Sequence, residues 1–481
     1  MSTEPDAGTP QNPFRVSAPP DILSLIPHTL GFEPENSLVL MALCGERLGA
    51  TLRLDLPPGR GFKSTAAAAY ALNACRFMAS DPEADGALLA LYTDEPWTSP
   101  AHPPYRPLVR RLEKEFSSAG IPLRDGWLVG PDLWRNYFCD RPGCCPWPGT
   151  PRQQIADSML NTELIYRGSA VASSLKSAVG DGLPGPWDNQ AVVAAAQARF
   201  STRVNGHWNE SRQFRGTLLR WVGAADSGSG QPGPANGLRC DPDLAGFLLA
   251  SLCDRSVRDS LLVLGAAGVP AALEGARANG LMRRQVHAPV FPGPATAGTA
   301  APAVTGAPPD GTAAQAVTGA PPEGTAAAAV TGGPEGTDGP AVAAHPAGAG
   351  ATDLFGEEPV QGRPRPGDAA AGNFRDILVG TSPAAPDWPL LDRMYAVFRE
   401  LVPVAEGDPK AALLSLLAWI EWARGRGSRA DVYLRHALQA SPDYRLALLL
   451  RELLGTGVLP DWARSRAASW PGTADEGGRA G

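Results

Sequence analysis

Residues Ser37 to Leu43 read Ser-Leu-Val-Leu-Met-Ala-Leu, an almost unbroken apolar run. A strand with one wet face would alternate. A continuous run of this length, bounded by Asn36 and Gly45, predicts a strand buried on both faces. The next stretch does alternate: Leu52, Leu54 and Leu56 fall on one side, Thr51, Arg53 and Asp55 on the other. Leu48 to Leu56 therefore pairs back on the first strand as a β-hairpin that turns at Gly45. A strand covered on both sides needs helices above and below it, which points to an α/β fold.

The flanking sequence supplies those helices. Asp21 is placed to cap a short helix through Leu25 and Ile26, stopped at Pro27. Ser64 starts a second, with Ala67, Tyr70, Ala74, Phe77 and Met78 on one stripe. Gly86 to Thr93 reads as another buried strand. Tyr105, Leu108, Val109, Leu112 and Phe116 form a further helical stripe, closed by Gly120, and Trp127 to Gly130 a further strand. A strand that returns to its sheet after a helix usually lies parallel. The expected class is α/β, with a mixed sheet (N-terminal β-hairpin plus parallel strands) covered by helices.

After Pro151 the pattern turns helical: Ile155 to Tyr166, Asp188 to Phe200, and Asp241-Pro242 through Leu252, with Ser227 to Gly237 as a loop. Asp387 caps a helix carrying Leu390, Leu391, Met394, Tyr395, Phe398, Leu401 and Val402 on one face. Asp408-Pro409 opens the next, apolar nearly all round through Ile420 and so central. Ser428 starts a third and Pro442-Asp443 a fourth. Ala430, Leu434, Ala437 and Pro442 fall where the second helix of a tetratricopeptide repeat has its small, bulky, small and proline residues. Leu414, Leu417 and Ala418 suit its first helix. This predicts a mainly helical region with a TPR-like helix pair, an ordinary helical hairpin being the alternative.

Between these halves, residues 288–386 hold 17 Gly and 16 Pro. Ala303-Val-Thr-Gly-Ala-Pro-Pro-Asp-Gly-Thr recurs from Ala316 and, degenerately, from Ala329, a period of 13 that has no core to bury. The segment reads as a disordered Ala/Gly/Pro/Thr-rich linker. Its apolar islands, Asp353-Leu-Phe-Gly and Asn373-Phe-Arg-Asp-Ile-Leu-Val, read as residual apolar residues in coil, with a docking motif as the alternative. The expected organisation is a tail at 1–18, an α/β domain running into helices at 19–287, the linker at 288–386, a helical region at 387–470 and a tail at 471–481. The linker carries nine acidic and three basic residues, so most of the formal net charge of −7 lies there. The acidity describes a solvating insertion rather than a binding surface.

Several classes drop out. Met1 to Pro20 lacks the basic and apolar regions of a secretory signal. The best apolar stretch, Leu261 to Leu273, is broken by Gly265, Gly268 and Pro270, so no bilayer span is expected. Seven Cys, an odd number, suit a reducing compartment, and a cytoplasmic location is expected. There is no phosphate loop, dinucleotide fingerprint, nucleophile elbow, zincin helix or EF-hand loop, and no cofactor is expected. No basic-aromatic run signals nucleic acid.

Two clusters could carry chemistry. Pro27-His-Thr-Leu-Gly-Phe-Glu-Pro-Glu-Asn-Ser37 puts polar groups at the mouth of the first strand. His28 could act as a general base oriented by Glu33 or Glu35, with Asn36 and Ser37 donating hydrogen bonds. Arg53 with Asp55, and Tyr92 with Asp94, lie at i, i+2 along strands, and strand ends are where α/β folds place ligands. Loop chemistry before a strand, and a solvated strand face, explain the same residues. Cys139-Asp-Arg-Pro-Gly-Cys144-Cys145-Pro is the second cluster. A turn at Pro142-Gly143 would bring Cys139 near Cys144, allowing a disulfide or redox switch. Metal binding by Cys139, Cys144 and Cys145 would lack a fourth ligand. The structural alternative is small buried residues in an aromatic corner with Trp134, Tyr137, Phe138 and Trp147.

Leu25-Ile-Pro-His-Thr-Leu-Gly-Phe-Glu-Pro-Glu-Asn-Ser-Leu-Val-Leu40, Leu48 to Pro57 and the Cys139…Cys144-Cys145-Pro corner together resemble the actinobacterial family of unknown function DUF4192. The resemblance continues through Val257-Arg-Asp259, Leu414 to Ala423 and Pro442 to Leu449. It implies that the pieces on either side of the linker belong to one unit, and it supplies no catalytic residues. The expected function is that of a cytoplasmic, non-enzymatic binding or regulatory protein that uses its helical C-terminal region for protein contacts. The first alternative is a hydrolase-like small-molecule enzyme with a pocket at His28, Glu33, Glu35, Asn36, Ser37 and Asp94. The second is a thiol redox sensor.

Overall fold

A computed structural model describes residues 16, 18–57, 64–139, 141, 143–180, 183–227, 237–293, 368–456, 458–464 and 467–471. Helix α1 (Pro19–Leu30) leads into strands β1 (Ser37–Cys44) and β2 (Arg47–Asp55). Then follow α2 (Ser64–Met78), β3 (Gly86–Tyr92), α3 (Arg106–Ser118), β4 (Leu123–Val129), β5 (Leu133–Asn136) and β6 (Thr150–Pro151). Among the described residues these strands make a six-stranded mixed sheet in the order β2-β1-β3-β4-β5-β6. β1 runs antiparallel to both β2 and β3, β3 pairs parallel with β4, and β5 and β6 add antiparallel pairs.

The apolar run of β1 is explained by its central place. Leu38, Leu40 and Ala42 join Ala87, Leu89 and Leu91 of β3 under α2 and α3, packed on Ala71, Leu108, Leu112 and Phe116. The alternate residues, Val39 and Met41 with Leu88, Ala90 and Tyr92, pack on Leu23 and Ile26 of α1 and on Trp127 and Trp134. Period-two geometry thus sends one strand into two cores. Strands β5 and β6 were not expected; they are too short to show a period.

Two expectations at the N-terminus are corrected. Asp21 does not cap α1, whose N-cap is Ala18, with Pro19 and Pro20 opening the helix. Nor does Pro27 stop it: the helix runs three residues further and ends at Gly31, whose φ of 76° suits glycine. A proline near the end of a helix removes one hydrogen bond, and burial of Leu23, Ile26 and Pro27 offsets the loss.

The remaining helices are α4 (Gln153–Ala156), α5 (Met159–Tyr166), α6 (Leu175–Gly180), α7 (Gln190–Val204), α8 (Ser211–Ser227), α9 (Pro242–Ser251) and α10 (Arg255–Ala278). After the next undescribed stretch come α11 (Asp368–Val379), α12 (Trp388–Leu401), α13 (Gly407–Ala423), α14 (Gly427–Ala440) and α15 (Arg445–Thr456). Asp241 caps α9 and Asp387 caps α12, as their positions predict. Every residue of α13 from Ala411 to Ala423 is buried, which explains its all-round apolar character. One continuous core joins Val193, Phe200, Trp221 and Leu261 to Met394, Phe398, Leu417, Trp419 and Trp462. The helices before and after the low-complexity stretch therefore share one interior.

The linker expectation is corrected at its C-terminal end. Asn373 to Val379 belongs to α11, not to coil, and Phe374, Ile377 and Leu378 are buried in the shared core. Gly275 of α10 receives Phe374 so closely that a β-carbon there would collide with the ring. The period-13 repeat, the Asp353 island, both terminal tails except for a few residues, and most of the Ser227 to Gly237 loop lie outside the described residues. Helix α10 is long and apolar enough to cross a membrane by length and composition alone. Gly268, at φ 81° and ψ 174°, breaks it in two, and Val257 with Leu261 to Leu264 lie in the core.

Candidate functional site

The residues at the mouth of β1 are each held by a different neighbour. His28 Nδ1 lies 2.8 Å from Ser169 Oγ, and its Nε2 lies 2.8 Å from Asn161 Oδ1. Both ring nitrogens thus face the α5 segment, not Glu33 or Glu35. Glu33 pairs with Arg152, which also donates to the Gly130 carbonyl. Ser37 is buried, donates to the Glu35 carbonyl at 2.5 Å and accepts from Arg53 Nε at 2.8 Å. Arg53 in turn pairs with Asp55 at 2.5 Å, so the i, i+2 pair on β2 is an ion pair. Asn36 takes φ 41°, a left-handed conformation that Asn tolerates, and its carbonyl accepts from Leu56 N–H. The Glu35 side chain and Asp94 are exposed. The structure joins Ser37 to the Glu35 backbone and to Arg53 and leaves His28, Glu33 and Asp94 apart, so among the described residues no base is hydrogen-bonded to the serine.

The cysteine corner does converge. The Sγ atoms of Cys139, Cys144 and Cys145 lie within 4.8 Å of one another. Cys144 and Cys145 N–H both donate to the Arg141 carbonyl, which makes the turn, although Pro142 itself lies outside the described residues. Arg135 ties the corner down by donating to the carbonyls of Cys145 and Pro146, at 2.9 and 2.6 Å. Its guanidinium sits 5.4 Å from the ring centroids of both Trp97 and Trp147. The Arg141 backbone N–H, then hydrogen bonding from Cys145, lowers the Cys139 pKa, whereas burial, then Cys139 and Cys144, pushes Cys145 up to about 12. All seven cysteines are free thiols.

A third feature was not legible as a site. A cleft of about 620 Å³ opens beside α13 and α14. Leu183, Pro184, Pro186, Val402, Pro403 and Leu414 give it apolar walls, and Glu406, Lys410, His436 and Gln439 its polar groups. Burial, then the charges of Arg435, Lys176 and Lys410, lowers the His436 pKa. The volume falls within the range of small-molecule pockets.

A fourth feature likewise leaves almost no local pattern in the sequence. His207 and Glu210, both in the connection between α7 and α8, converge with His287, in the segment after α10. Glu210 Oε1 lies 3.2 Å from His207 Nδ1 and 2.7 Å from His287 Nδ1. Its Oε2 accepts from Gln285 Nε2, Val286 N and His287 N at 3.0, 2.9 and 2.8 Å. The His287 side-chain hydrogen bond lowers the Glu210 pKa to about 2; burial opposes the shift and the two backbone donors reinforce it. The i, i+3 spacing of His207 and Glu210 was the one signal in the sequence. His287 lies 77 residues beyond Glu210 and carries none.

A family model described as "Domain of unknown function (DUF4192)" matches residues 19–330 and 379–461. The chain belongs to this family. The DUF4192 match takes in the β1 mouth, the cysteine corner, the residues lining the cleft and the His–Glu cluster. It is interrupted at residues 331–378, where helix α11 nevertheless packs Phe374 and Ile377 into the core. No curated protein and no solved structure matches the chain.

Proposed function

We propose that this DUF4192 protein is a cytoplasmic, non-enzymatic binding or regulatory protein that makes protein contacts through its helical half, at the cleft beside α13 and α14. The cleft carries the reading. Its apolar walls suit one or two aliphatic side chains of an extended segment, Lys410 offers an acidic group its counter-charge, and His436, its pKa lowered, offers a neutral hydrogen-bonding ring. The α13–α14 hairpin, with Ala430, Leu434 and Ala437 fully buried, is a rigid support of the kind TPR-like pairs provide. The free thiols support a reducing compartment. The hydrolase alternative receives no support from the β1 mouth, where His28 and Ser37 have separate partners.

The test compares the full chain with A440W, which fills the cleft, and K410E, which reverses its charge. Both variants are first checked for an unchanged thermal midpoint. Quantitative affinity capture from lysate should retain a defined set of proteins on the wild-type chain and lose that set on both variants. A wild-type chain that captures nothing the variants lose overturns the reading.

A further inference from the structure

We propose that His207, Glu210 and His287 form a binding site for a divalent transition-metal ion of the zinc type, with coordination positions left open to solvent. Two donors come from the connection between α7 and α8 and the third from the segment after α10, and the backbone fastens these two segments together. Arg283 N–H donates to the Asn209 carbonyl and Ser211 N–H to the Arg283 carbonyl, at 2.8 and 3.0 Å. Residues 283–287 thus lie alongside the junction of α7 and α8.

The donor spacing fits one ion. Zinc takes imidazole nitrogen and carboxylate oxygen at about 2.0–2.2 Å, so neighbouring donors of a shared ion stand roughly 3 Å apart. Glu210 Oε1 stands 3.2 and 2.7 Å from the two Nδ1 atoms, and all three donor atoms fall within 4.8 Å. The imidazole rings stack with centroids 3.6 Å apart and planes inclined by 31°. Both Nδ1 atoms therefore lie close to the same carboxylate oxygen. The His287 Nδ1 proton is donated to that oxygen, while His207 Nδ1 stands 3.2 Å from it without a hydrogen bond. With both rings in the Nε2–H form, the two Nδ1 lone pairs are free to take the cation.

The surroundings match what metal ligands need. Glu210 Oε2 is fully engaged by Gln285, Val286 and His287, which fixes the carboxylate and leaves Oε1 to the imidazoles. The Glu210 side chain is 6% exposed, whereas His207 and His287 are 37% and 53% exposed. The carboxylate is thus anchored from the protein side and the ion is reached from solvent. Three protein ligands with open positions are the pattern in which zinc keeps a bound water.

The test titrates Co2+ into the metal-stripped full chain. One equivalent should give visible d–d absorption without a near-ultraviolet thiolate band, and Zn2+ should displace it. H207A and H287A should each weaken Co2+ binding at least tenfold, and Q285A, which removes an anchoring donor, by about 10- to 100-fold. The triple variant C139S/C144S/C145S should keep the signal. The metal-free histidine variants should melt at the wild-type midpoint, which separates lost ligation from lost folding. Absent visible absorption, absorption that survives in both histidine variants, or a thiolate band that vanishes in the cysteine triple variant as the sole signal each overturns the proposal.

Discussion

Arg424 and Glu421 form an ion pair inside the helical core: Nη1 lies 2.9 Å from Oε1, with side-chain exposures of 3% and 0%. Arg424 Nη2 also meets Asp392 Oδ1 at 2.5 Å, and its guanidinium lies 4.2 Å from the Tyr395 ring centroid and 4.6 Å from that of Trp470. The pair links the end of α13 to α12 and to the C-terminal segment.

Removing one partner leaves the other charge buried and uncompensated. R424A should therefore destabilise the fold by about 3–5 kcal/mol, read as a shift in urea midpoint. The double variant E421L/R424M should recover much of that loss, because a packed apolar pair carries no desolvation cost. Equal loss in the single and double variants would mean that packing, not charge, sets the effect.

The same pair gives stability an acid limb. Burial alone would raise the Glu421 pKa, but the charges of Arg424, Arg426 and Arg429 outweigh it and the net shift is downward. A carboxyl held lower in the folded state binds protons less readily there. Its stabilisation is complete above the unfolded value of about 4.3 and is lost as pH falls from there through the folded value. Urea midpoints measured from pH 6 to pH 3 should fall, and E421Q should show a shallower slope than wild type.

Helix α11 should matter to the core although it follows a low-complexity stretch. F374A should cost about 3–5 kcal/mol, the usual range for emptying a buried aromatic site. G275A should destabilise too, since its new methyl meets the Phe374 ring. Coil at 368–379 would make both changes silent in a thermal melt.

Cys139 should be the fastest thiol at neutral pH. Hydrogen bonds lower its pKa, whereas burial raises Cys75 and pushes Cys145 to about 12. Iodoacetamide labelling followed by peptide mass mapping should modify Cys139 first, and mild peroxide should link it to Cys144 or Cys145. Faster labelling at Cys75 would contradict the geometry of the corner.

What the sequence determined by itself was local. The unbroken run Ser37 to Leu43, the alternation after Leu48 and the stripe from Leu108 to Phe116 fixed strands and helices, because burial writes its period into neighbouring residues. Asp241 and Asp387 marked helix starts for the same reason: a cap is a contact over three positions. The all-round apolar character of Leu413 to Ile420 even announced a central helix.

Contacts across long intervals had no such imprint. Phe374 looked like a stray aromatic beside a Gly/Pro-rich stretch, and only the groove at Gly275 makes it core. Sequence proximity pairs His28 with Glu33 and Glu35, yet α1 turns its ring to Asn161 and Ser169. Glu210 and His287 meet only because Arg283 hydrogen-bonds beside Asn209 and Ser211. Periodicity reports which face of an element is buried, whereas a site depends on which elements are packed together, and that was decided by the tertiary structure alone.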